Sequence, residues 1–123
     1  MECQFRQLLN NLINNSLKFA RPGHAPHVKI TSEIVEGSRY ENDHRFTEET
    51  YFDLVITDNG IGFESIYNEK IFELFQRLHG RQEYNGTGIG LAIVKRIVEN
   101  HNGIITARGE VDKGARFDIF IPL

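Results

Sequence analysis

Gly86-Thr87-Gly88-Ile89-Gly90 sets three alternating glycines directly before an apolar segment with helical spacing. Glycine lets backbone N–H groups approach an anion closely, and a helix start adds unpaired donors and a favourable dipole. Phosphate is the natural guest, although glycines before a helix also serve plain chain reversal. A dinucleotide fingerprint is excluded, because the residues just before the glycines, Gly80 to Asn85, do not read as a strand. A Walker loop is excluded because Gly90 is followed by Leu91. A protein-kinase glycine loop belongs in a strand hairpin, whereas Leu91 to Val98 reads as helix.

A second constellation is Asn11, Asn15 and Lys18, spaced to share one helix face, with Asn14 to one side. An amide oxygen is a hard neutral ligand suited to Mg²⁺, which keeps waters and phosphate oxygens around few protein groups. A nearby lysine would offset phosphate charge. Asparagine is a poor residue for a helix interior, so repeating it mid-helix costs a few tenths of a kcal/mol each time; a merely polar outer face is the competing explanation. The third constellation is Asp58-Asn59-Gly60-Ile61-Gly62, at the end of a strand-like run. A carboxylate there can accept a hydrogen bond from an exocyclic amine, and the glycines permit a sharp turn and close ligand approach. An ordinary Asp-Asn-Gly turn accounts for the same residues.

The elements that must position these groups follow from periodicity. Phe5 to Phe19 reads as a helix with Phe5, Leu8, Leu9, Leu12 and Ile13 in an apolar stripe that Ser16 continues, stopped by Arg21-Pro22-Gly23. His27 to Glu36 and Tyr51 to Thr57 read as strands. The charged stretch Gly37 to Thr50 between them reads as a solvated connection. Ile66 to Leu78 is expected to be helical, Gly80 to Gly90 a polar glycine-rich loop, and Ile89 to His101 a helix ended by Asn102-Gly103. Ile104 to Arg108 and Arg116 to Ile121 form a hairpin-like pair around Gly109 to Gly114. The order predicts helices layered on one face of a mainly antiparallel sheet.

The composition fits one compact domain. At 123 residues, area scaling lets about two-thirds of the surface be buried, enough for a core without staples. Hydrophobic residues make up 40% and charged residues 25%, unlike a disordered chain. A single cysteine, Cys3, excludes a disulfide framework and a cysteine-based zinc site. The net charge of −3 argues against a nucleic-acid platform. The most apolar run, Gly88 to Val94, ends at Lys95, too short to span a membrane. Glu2, Gln4 and Arg6 interrupt any signal-peptide pattern, which predicts a cytoplasmic location.

Taken together, the motifs resemble the boxes of the two-component sensor histidine kinases. Asn11 to Lys18 is similar to their N box, Asp58 to Gly62 to the G1 box, Ile71-Phe72-Glu73-Leu74-Phe75 to the F box, and Gly86 to Gly90 to the G2 box. Lys113-Gly114-Ala115-Arg116-Phe117 is similar to the last glycine box. The resemblance covers nearly the whole chain, in the family's order, and places it in the wider group with gyrase, certain chaperones and mismatch-repair ATPases. It implies a single catalytic ATP-binding domain over 1–123 with the Bergerat fold, a two-layer α/β sandwich on a mixed, mainly antiparallel sheet.

By that resemblance, Asn15 coordinates Mg²⁺ bridging the ATP phosphates, with Asn11 and Lys18 on the phosphate side. Asp58 binds the adenine amino group, with Gly60 and Gly62 in its turn. Residues 63–85 form a mobile lid anchored by Phe72 and Phe75, and Arg77, or else Arg81, faces phosphate. Gly86, Thr87, Gly88, Gly90 and Leu91 approach the triphosphate. Hydrolysing members of the group carry a glutamate where Asn11 stands; an amide has no usable basicity, so water attack is expected to be slow and transfer to a positioned acceptor favoured. The resemblance therefore implies a protein-histidine kinase with partners in a phosphoacceptor dimerisation domain and, through it, a response regulator.

This chain departs from the pattern in three ways. None of His24, His27, His44, His79 or His101 has the phosphoacceptor context; His79 and His101 are read as surface or capping residues. The chain starts inside the first helix of the usual domain, without the short strand that precedes it, so it is read as a fragment with the acceptor helices, sensor and any membrane spans upstream, making no membrane contact itself. Ser16 and Ala115 stand where alanine and a hydroxyl residue are more usual. A stand-alone serine kinase of the anti-sigma type, or an ATP-binding docking module without transfer, are the other readings; the long lid and F box argue against the first.

Overall fold

The structure, a computed structural model, describes residues 2–69, 71–72 and 87–123. The apolar stripe read from the sequence nucleates α1 (Glu2–Lys18), which starts earlier than the periodicity predicts. Leu8 and Leu12 are fully buried on its inner face, and Ser16 one turn further on is buried too. The helix ends before Pro22 and a left-handed Gly23 (φ 79°), as proline and glycine dictate.

Four strands follow: β1 (Val28–Glu36), β2 (Thr50–Asp58), β3 (Ile104–Glu110) and β4 (Gly114–Pro122). They form one sheet in the order β1-β2-β4-β3, and every pairing among the described residues is antiparallel. The second helix, α2 (Thr87–Asn100), lies beside α1 on one face of the sheet. Leu91, Val94, Ile97 and Val98 of α2 meet Leu8 and Leu12 of α1 over Ile56, Ile105, Phe117 and Ile119 of the sheet. Strand alternation sorts these residues from their neighbours, since every second side chain points to the helices. The α2 C-terminus closes as expected: Asn102 adopts φ 59° and the N–H of Gly103 returns to the Val98 carbonyl. His101 caps the same end, its Nδ1 2.9 Å from the Ile97 carbonyl oxygen.

Two expectations are corrected here. The stretch Gly37 to Thr50 is not simply a solvated connection. Its first residues, Gly37–Tyr40, form a 3-10 turn, and Tyr40 stacks on Phe46 (4.5 Å between centroids). Both rings pack edge-on against Phe120, and Phe46 also against Tyr51, on the sheet face away from the helices. That face offers Val35, Tyr51, Ile104 and Phe120, and two aromatics among the charges are enough to cover them. The glycine-rich loop is the second correction. The helix begins at Thr87, two residues before the expected Ile89 and inside the stretch read as loop, so that Gly88 and Gly90 lie in its first turn.

Of the helix expected over Ile66 to Leu78, Ser65–Tyr67 form a 3-10 turn and Ile71 and Phe72 are helical; 70 and 73–78 lie outside the described residues. The lid expected over 63–85 is therefore described only in part. Among the described residues no helix is long and apolar enough to cross a membrane.

Candidate functional site

Asp58 is the last residue of β2, where the strand leaves the sheet, and its carboxylate is held from three sides. Its Oδ1 accepts the N–H groups of Gly60 (2.9 Å) and Ala115 (3.3 Å), and its Oδ2 accepts the Ser16 hydroxyl (2.9 Å). The loop after it is pinned to three separate parts of the chain. The N–H of Ile61 donates to the Phe19 carbonyl, the N–H of Asp112 to the Ile61 carbonyl, and the Asn59 side chain bridges Ala25 and His27. Arg21 ties the same loop to the β3–β4 hairpin through the carbonyls of Asn59 and Asp112.

Glycine is required at two points. Gly62 has φ 65°, and a Cβ there would run into the Glu110 carbonyl; Gly114 has φ 122°, and a Cβ would strike the Asp58 backbone. The strand-end carboxylate is thus fixed by backbone that only glycine can supply.

Asn15 of α1 and Asp58 face one narrow cavity of about 20 Å³, closed by Phe19, Ile61, Gly62, Phe63, Ala115 and Phe117. That is about the space of one water. Through Ile61, Gly62 and Phe63 it adjoins a wider hollow of about 340 Å³ bordered by Glu64, Tyr67, Val111 and Asp112. The Oδ1 of Asn15 is buried and has no hydrogen-bond partner among the described residues. A buried amide oxygen without a donor is costly, and beside a cavity of this size it leaves an acceptor open to a water, a ligand or an ion. A hard neutral oxygen suits Mg²⁺, which takes few protein groups and completes its shell from phosphates and water.

The structure brings Asn15 to the same cavity as Asp58 and Gly62, which lie far from it in sequence, and Gly60 of the same turn donates to Asp58. It does not bring Asn11 or Lys18 into the cavity lining: Asn11 is half-buried, and Lys18 is exposed at the end of α1. Phe72 is buried in the core with its ring edge-on to Phe117 (6.1 Å), one residue removed from the cavity wall. Leu91 is buried in the same core. Phe75, Arg77, Arg81 and Gly86 lie outside the described residues. The apolar walls Ile61, Phe63 and Phe117 and the donor Ser16 were not singled out as site residues by sequence reasoning. Ser16 stands out only in that it interrupts an apolar stripe with a hydroxyl.

A second carboxylate cluster lies on the opposite face of the sheet. Asp53 of β2 and Asp118 of β4 are both buried, and Arg116 grips Asp118 through two hydrogen bonds (2.7 and 3.1 Å). Burial, and then the Asp118 carboxylate, push Asp53 up to about 7. The same neighbours act on Tyr40, which burial and then Asp53 raise above the usual tyrosine value.

The chain matches the family of histidine kinase-, DNA gyrase B- and HSP90-like ATPases over residues 2–123. It is 42% identical over 120 residues to cyanobacterial phytochrome A of Nostoc, covering 98% of this chain and 14% of that protein. Among solved structures it superposes on full-length ShkA in complex with AMPPNP (TM-score 0.69, 28% identity, 97% of this chain and 21% of ShkA). It superposes similarly on the mycobacterial sensor histidine kinase MprB (TM-score 0.67, 25% identity, 99% of this chain and 72% of that one). The sheet, the paired helices and the glycine-bounded carboxylate thus occur in a chain that belongs to the histidine kinase-, DNA gyrase B- and HSP90-like ATPase family, as an ATP-binding catalytic domain of the sensor histidine kinase type.

Proposed function

We propose that residues 1–123 form one catalytic domain that binds Mg-ATP and passes its γ-phosphoryl group to a histidine on a separate dimerisation domain, which in turn serves a response regulator. The observation that carries this reading is the convergence of Asn15 and Asp58 on one cavity, with the buried Asn15 oxygen lacking a partner among the described residues. Asp58 accepts the exocyclic amine of adenine, in a turn that Gly60 and Gly62 make possible. Asn15 holds Mg²⁺, which supplies charge neutralisation on the phosphates when bound. Asn11, Lys18 and Arg77 address the phosphate side, and the α2 start from Thr87, with Gly86, Gly88 and Gly90, offers backbone donors to the triphosphate. Residues 63–85 act as the lid, parked through Phe72 and Phe75, with Leu91 backing its hinge. The cavity is too narrow for a base as it stands, so binding must part its walls, and Phe63 is the wall that belongs to this segment.

Catalysis in this reading is placement and charge neutralisation. Asn11 provides no base for water, so hydrolysis is slow and an external acceptor is favoured. The test is titration of ATP with Mg²⁺ into wild type, Asp58→Ala and Asn15→Ala, followed by labelled ATP with a separate histidine-containing dimerisation domain. The expected result is loss of binding in Asp58→Ala, loss of magnesium dependence in Asn15→Ala, and an acid-labile, alkali-stable label on histidine. Equal binding by wild type and Asp58→Ala overturns the adenine assignment, label on serine indicates a serine kinase, and binding without label indicates a docking module.

A further inference from the structure

We propose that Ser16 is a positioning residue that sets base selectivity by locking the Asp58 carboxylate; this rests on the reading that Asp58 receives the amine of the base. An aspartate side chain turns freely about its last torsion, where the rotamer distribution is broad. At Asp58 that torsion is fixed at both oxygens: among the described residues, two backbone N–H groups hold Oδ1 and only the Ser16 hydroxyl holds Oδ2. An ionised carboxylate offers about four lone-pair sites. Among the described residues three are engaged, and the one remaining belongs to Oδ2, on a residue that lines the cavity.

Ser16 itself does not line that cavity and is buried behind the carboxylate at 3% exposure. Its single proton is committed to Oδ2, so what reaches the ligand is an acceptor in a fixed direction. A base bearing an amine completes the set, whereas one bearing a keto oxygen sets lone pair against lone pair. Without the hydroxyl, Oδ2 has two open sites and only Oδ1 restrains its rotation, so the aim of the acceptor is lost while the cavity wall is unchanged.

The experiment compares the whole chain with its Ser16→Ala variant, titrating each with Mg-ATP and with the purine ribonucleoside triphosphate that lacks the 6-amino group. Circular dichroism and a thermal melt check the fold of both. The expected result is an affinity for ATP about five-fold weaker in Ser16→Ala, with the affinity for the amine-free nucleotide unchanged. An equal loss for both nucleotides makes Ser16 a packing residue and overturns the proposal. Unchanged affinity for both, with wild type still preferring ATP, overturns it while leaving the adenine reading intact. A wild-type chain that does not distinguish the two nucleotides overturns both.

Discussion

Asp53 and Asp58 lie on the same strand, an odd number of positions apart, and the sheet turns them to opposite faces. Asp58 meets donors: two backbone N–H groups and a hydroxyl, at the point where the strand ends and a cavity begins. Asp53 meets another carboxylate, Asp118, under the aromatic cover of Tyr40 and Phe46, and its Oδ1 has no partner among the described residues. Two carboxylates on one strand therefore have different chemistry. One lines a cavity; the other is pushed by burial and a like-charged neighbour towards its protonated form. Donor supply on one face, and burial with like-charge proximity on the other, decide this, and none of these is visible in the local sequence.

The comparison can be broken most sharply at the backbone that frames Asp58. Gly62→Ala forces a Cβ into the Glu110 carbonyl at a left-handed φ, and is expected to destabilise the fold by about 3 kcal/mol in urea denaturation. Asp58→Ala removes the ligand-facing acceptor and orphans the Gly60 and Ala115 amides; ATP affinity should fall roughly a hundred-fold by calorimetry. The opposite face sharpens the contrast by gaining stability. Asp53 binds its proton more tightly folded, at about 7, than unfolded, near 3.8. Its presence therefore costs stability that grows as pH rises from about 4 to 7 and is constant above. Asp53→Asn, which mimics the protonated form, should raise the melting temperature at pH 8 and leave it little changed at pH 4, with ATP binding unaffected. An equal shift at both pH values would mean that the carboxylate pair does not hold a proton. The smallest effect belongs to the hairpin surface: Lys113→Ala breaks an exposed pair with Glu110 and should change stability by less than about 0.5 kcal/mol.

Much of the fold was legible because it rests on periodicity. The stripe of Leu8 and Leu12, the alternation in β1, the β-branched and aromatic run of β2 and the Asn102-Gly103 stop each gave an element within a few residues of its observed bounds. Errors fell where a sparse signal sits in a strong background. Tyr40 and Phe46 were hidden among charges, and the apolar pattern from Ile89 onward did not reveal that Thr87 and Gly88 also join the helix. Asp53 had a readable sign, a charge alternating with Tyr51 and Val55 on one strand face, but its partner Asp118 comes from a strand distant in sequence.

The motif residues Asn15, Asp58, Gly60 and Gly62 and their order along the chain were fixed by the sequence alone, because each is a local requirement of residue type and spacing. That α1 and the end of β2 meet, that Ser16 rather than solvent satisfies Asp58, and that the Asn15 oxygen finds no partner among the described residues beside a cavity were decided only by the tertiary structure. Hydrogen-bond satisfaction is a property of where segments distant in sequence come to rest, and chain order does not encode distances between them.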